Sequence, residues 1–174
     1  MPPSSEQLKS WAGRGRVRRA TETEVAAWRI PQPGKAALMS SGVPLLDGLV
    51  ENVSFRAAPT MYRLAFESAD EPAWEYGAVP ETGEVRLWPA GGRGDSAFVN
   101  SSISQWLCSL HLVGSCFASS AALENWDTSA DAEAQALAEL ADLVRRIAVI
   151  DPAAADNGDH EEQFWPGVLD RWLF

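Results

Sequence analysis

Two histidines (His111 and His160), two cysteines (Cys108 and Cys116), one glycine-rich run and 24 carboxylates are the groups with which this chain could do chemistry. The histidines alone have ordinary pKa values near neutrality, and no Gly-x-Ser-x-Gly elbow presents a nucleophile to them, which argues against a serine hydrolase. Cys108, His111 and Cys116 offer three of the four ligands of a structural zinc site, and the fourth is missing. At ~100° per residue Cys108 points ~150° away from the apolar stripe of its helix, so it reads as a satisfied or buried thiol. His111, at the flank of that stripe, reads as a hydrogen-bonded structural histidine. Gly91-Gly92-Arg93-Gly94 lacks the Lys-Ser/Thr ending of a phosphate loop and the spacing of a dinucleotide fingerprint, and is a loop. No carboxylate pair falls in a demonstrable cleft. No catalytic residue, metal ligand or cofactor is assigned.

Charge narrows the partner. The formal net charge is −10, yet residues 1–35 hold seven basic side chains against three acidic ones, net +4, so the rest of the chain carries −14. Phosphate binding needs a basic surface, which argues against nucleic acid; a basic protein suits better. Two cysteines are too few for a disulfide framework, no leader pattern opens the chain, and no run reaches the ~18 apolar residues of a membrane span. The expectation is a cytoplasmic protein off the membrane, with a monomer favoured.

The elements that must position a binding surface follow from local signals. Residues 1–20 have little periodicity, with Leu8 and Trp11 as their apolar anchors, and read as a mobile basic arm; 21–174 read as one domain. Thr21 and Glu24 form a capping box for a helix that sends Val25 and Trp28 inward and stops at Pro31. Pro33 to Gly42 reads as a second helix burying Leu38 and Met39. Met61 to Phe66 alternates as a strand, and Trp74–Val79 with Glu84–Trp88 form a hairpin around Pro80-Glu81-Thr82-Gly83. Ala97 to Val99 ends another strand. Ser102, with Gln105 three residues on, caps a helix whose Ile103, Trp106, Leu107 and Leu110 share one face. Asp131 to Ile150 is a long helix with Leu137, Leu140, Val144 and Ile147 on one stripe. An acidic linker through Glu162 leads to a last helix with Pro166 in its first turn, burying Trp165, Val168, Leu169, Trp172 and Leu173. Strands joined so tightly must be antiparallel, so the fold class is α+β: a largely antiparallel central sheet flanked by helices.

Most of the eight tryptophans sit at apolar periodic positions. Trp74, beside Glu71 and Glu75, and Trp126, beside Asp127, lie in acidic surroundings and are candidate interface anchors.

Three stretches resemble the SUKH superfamily, and particularly its fourth, actinobacterial-type group. They are Phe98-Val99-Asn100-Ser101-Ser102 between strand and helix, the segment from Trp28 to Pro44, and the long helix ending in Ile150-Asp151-Pro152 followed by Phe164-Trp165. Together they cover roughly residues 20 to 174. The resemblance implies an immunity protein that neutralises a cognate toxin of a polymorphic, contact-dependent system by stoichiometric occlusion, without catalysis. A nuclease or deaminase toxin would present a basic cleft. On that reading the hairpin carboxylates Glu71, Glu75, Glu81 and Glu84 and the linker carboxylates Asp156, Asp159, Glu161 and Glu162 join Trp74, Trp126 and Asp127 as candidate contacts. The alternative is a regulatory interaction module acting on an endogenous partner.

Overall fold

The computed structural model describes residues 1–68, 74–91, 94–155 and 163–173. Five strands, β3 (Asn52–Ala57), β4 (Tyr62–Phe66), β5 (Trp74–Ala78), β6 (Val85–Pro89) and β7 (Ala97–Asn100), form one sheet in sequence order, every neighbour antiparallel. Register sorts the side chains. Val53, Ala65, Tyr76, Leu87 and Ala97 pair successively across the sheet and share its core face. Arg56, Arg63, Gly77, Arg86 and Phe98 pair across it in the adjacent row; alternation turns Gly77, Arg86 and Phe98 away from the neighbouring core residues, and an irregularity in β4 between Arg63 and Ala65 lets Arg63 follow them. Gly77 has no room for a side chain there: a Cβ would lie 2.1 Å from Met61 Sδ.

Helices cover the core face. The strand β7 turns at Ser101-Ser102 into α4 (Ile103–Phe117), whose Ile103, Trp106, Leu107 and Leu110 are all buried as their spacing requires. Ser102 caps α4 by accepting from the Gln105 N–H at 3.3 Å, but the Gln105 side chain does not close the box: its Nε2 donates to the Ile150 carbonyl at 3.2 Å. Tyr76, Trp106, Phe164 and Trp165 stack through the middle, with Tyr76 and Trp106 ring centroids 5.4 Å apart. Trp165 belongs to α7 (Phe164–Asp170), which packs on β7, and α6 (Ala130–Ile150) lies against both α4 and α7. The remaining helices are α1 (Ser5–Ala12), α2 (Glu22–Val25), α3 (Gln32–Ser40) and α5 (Ala121–Glu124), and β1 (Val17–Arg18) pairs with β2 (Val43–Pro44) in a small second sheet.

Two expectations are corrected. The long helix buries Ala136, Leu140, Leu143 and Ile147, so its buried stripe is rotated from the expected one and Leu137 is 42% exposed. The alanine is as good a core residue as leucine where helices approach closely, and a leucine-counting stripe misses it. The basic N-terminal segment, expected to be a mobile arm, is folded onto α4. Ser4 and Gln7 form a capping box, Leu8 is 0% exposed, and the Trp11 ring seats over Gly114, where a Cβ would stand 2.3 Å from it. Arg16 pairs with Asp47 and Arg18 with Glu24, so part of the basic run is neutralised within the fold.

Candidate partner-binding surface

The sequence signature around Asn100 is a buried corner. Asn100 ends β7, and its Oδ1 accepts from Trp165 Nε1 at 3.0 Å while its Nδ2 donates to Asp151 Oδ2 at 3.0 Å. Asp151, at the C-terminus of α6 and also buried, accepts in addition from the Ser101 N–H at 2.6 Å and from Ser101 Oγ at 2.8 Å. Asn100 and Asp151 between them thus tie β7, α6 and α7 together at the start of α4. Both side chains are buried, so the pair is an architectural clamp.

The candidate contacts fall in separate places. Glu71, Asp156, Asp159, Glu161 and Glu162 lie outside the described residues, as does His160. Glu75 is only 3% exposed: Arg63 donates to it through Nε at 2.8 Å and Nη2 at 3.2 Å, and the Gly91 N–H donates to it at 2.9 Å. A carboxylate so engaged serves the sheet, and it is removed from the accessible surface. Glu84, half-buried, is bridged to Arg86 at 2.6 Å. Glu81 is exposed at the hairpin tip with φ +69°, paired with Arg29 at 3.3 Å. Trp74, 39% exposed, stands at the far end of β5 from that tip, the strand alone spanning ~13 Å at ~3.3 Å per residue.

Trp126 and Asp127 belong to the helical side, in a short 3-10 turn, Trp126–Thr128, between α5 and α6. Trp126 is partly buried against the core and Asp127 is exposed. Between residues 94 and 144 the chain has no lysine or arginine. Glu124, Asp127, Asp131 and Glu133 consequently make no ion pair among the described residues. Charge left unmatched on a surface is what steers an oppositely charged partner, whereas Glu81 and Glu84 are already compensated.

Beside this acidic edge runs a groove of about 660 Å³ between α1, the C-terminal end of α4, α5 and the chain after α7. Trp11, Leu45, Phe117, Leu123 and Trp172 line it, each partly buried, with Phe117 and Trp172 ring centroids 4.3 Å apart. Sequence reasoning missed this groove, having read Trp172 as a core residue and Trp11 as an anchor of a mobile arm. A glycine inside the apolar run of α4, Gly114, was the available signal of a close approach. On the groove's α1 wall Trp11 Nε1 donates to His111 Nδ1 at 3.0 Å, which makes His111 a structural acceptor, and burial holds its pKa below the ordinary value. Burial raises both thiols, so Cys108 and Cys116 stay protonated at neutral pH; Cys108 Sγ donates to the Met1 carbonyl at 3.5 Å. No group of three or more histidine, cysteine, aspartate or glutamate side chains among the described residues is arranged to hold a metal, and no described helix is long and apolar enough to cross a membrane.

An α+β scaffold clamped by a buried polar corner, with aromatic side chains and unmatched carboxylates on its helical side, has the makings of a protein-binding domain. The sequence matches the SUKH-4 immunity protein family over residues 3–171, nearly its whole length, and the chain belongs to that family. The match includes the N-terminal segment that the three sequence stretches had left outside. No curated protein and no solved structure matches the chain.

Proposed function

We propose that this protein is the cytoplasmic antidote of a toxin–immunity pair, binding its cognate toxin one to one and occluding it without catalysis, metal or organic cofactor. The observation that carries this reading is the membership in an immunity family joined to a surface beside Trp126 on which Glu124, Asp127, Asp131 and Glu133 make no ion pair among the described residues. A toxin that acts on nucleic acid, a nuclease or a deaminase, holds its substrate in a basic cleft. An inhibitor that offers carboxylates there speeds encounter and blocks the substrate together.

Of the hairpin candidates, Trp74 and Glu81 remain accessible and form a second, smaller candidate surface; a protein of this size engages one cleft with one of the two. Co-expression of the toxin domain encoded beside this gene tests the proposal. Growth is expected to depend on this protein, and the two are expected to co-purify as a 1:1 complex. The absence of both protection and a complex would overturn it, and the regulatory reading, with an endogenous partner, would then stand.

A further inference from the structure

The groove beside the acidic edge is built for one kind of occupant. Its apolar lining comes from elements far apart in sequence, Trp11 of α1, Phe117 of α4, Leu123 of α5 and Trp172 after α7, over a floor of small residues, Gly114, Ala118 and Ala121. Its volume of about 660 Å³ lies in the range of ligand cavities, ~300–1,000 Å³. A small-molecule site would also need spare polar groups to orient its ligand. Here several are already engaged within the protein: Arg16 and Asp47 pair with each other, Ser120 Oγ donates to Glu139, and Ser119 Oγ donates to the Ser115 carbonyl at 2.8 Å. The lining carboxylate of Glu124, exposed on α5, makes no ion pair among the described residues, and the unmatched charge continues from it through Asp127.

Resting on the antidote reading above, we infer that this groove seats a bulky apolar side chain of the toxin that is flanked by lysine or arginine, the apolar group entering between Phe117 and Trp11 and the cation meeting Glu124 and Asp127. Apolar burial supplies the affinity and slow release; the carboxylates supply encounter rate and orientation.

The test uses the full chain and the toxin domain encoded beside it, with binding followed by surface kinetics. Ala118→Trp, at an exposed lining position, fills the groove from outside the core and is expected to raise Kd at least ~30-fold, mainly through faster dissociation. Glu124→Lys with Asp127→Lys is expected to slow association ~10-fold at low salt, with the difference shrinking at high salt. Glu81→Lys, on the rival hairpin surface, is expected to leave dissociation unchanged and to slow association far less than the Glu124/Asp127 double variant. Unaltered thermal midpoints establish that each variant is folded. Wild-type binding that survives the groove and charge variants but falls with Glu81→Lys overturns this inference while leaving the antidote function intact. Ala118→Trp that abolishes self-association of this chain and spares toxin binding overturns it too, by assigning the groove to a second copy. Absence of any complex with wild type overturns the antidote reading and this inference with it.

Discussion

Asp151 is the side chain on which most elements converge, and its effect on stability follows from the donors it satisfies. Removing its carboxylate takes away the acceptor of three donors, of which Asn100 Nδ2 is fully buried while Ser101 N–H and Oγ reach water, and each bond so lost costs ~1–3 kcal/mol, most where the donor is dry. Asp151→Ala is therefore expected to destabilise by ~3 kcal/mol or more, read as a lower denaturation midpoint at constant slope, with Asp151→Asn losing less. Trp106→Ala, which empties a fully buried site against Tyr76, is expected to cost ~3–5 kcal/mol. The sequence named Trp106 and the Ser102 cap correctly because both are local signals. It gave no hint that Asn100 would reach Asp151, 51 residues on, and it placed Glu75 among exposed candidates because nothing local reveals Arg63 on the neighbouring strand.

At the scale of elements, the docking of α1 on α4 rests on Leu8, on the Trp11–Gly114 contact and on the Trp11–His111 hydrogen bond. His111 has to be unprotonated at Nδ1 to accept that bond, and its folded pKa lies below the ordinary 6.5. Its neutral form is therefore favoured by folding: the contribution is complete above about pH 6.5 and is lost as pH falls through the lower folded value. Protection of the α1 amides, exchange being corrected for its intrinsic pH dependence, is expected to fall in mildly acid buffer, and His111→Phe is expected to remove that loss whatever it does to stability. Gly114→Leu is expected to displace Trp11, seen as a red-shifted tryptophan emission. The hairpin, the Thr21 box and four of the five strands in order were legible because turn chemistry and alternation are written in consecutive residues; the edge strand β3 was not read. The helix α1 was not, since its anchors find their partner a hundred residues away, at a glycine.

Across the whole molecule, charge is distributed by region. Cations cluster near the N-terminus and on the sheet, where Arg16, Arg18, Arg63 and Arg86 pair with Asp47, Glu24, Glu75 and Glu84, and the stretch from residue 94 to 144 carries carboxylates without any lysine or arginine. Association with a basic toxin is thus expected to slow as salt shortens the Debye length from ~10 Å at 0.1 M to ~3 Å at 1 M. A salt-independent on-rate would assign the carboxylates to solubility and leave recognition to the aromatic groove.

Stoichiometric occlusion makes one demand that neither an enzyme nor a regulatory module shares. Titrating a fixed amount of the purified toxin, at a concentration well above Kd, with this protein is expected to bring toxin activity down linearly to zero at a molar ratio of one. Full inactivation at a small fraction of an equivalent, or activity that persists at severalfold excess, would contradict the account.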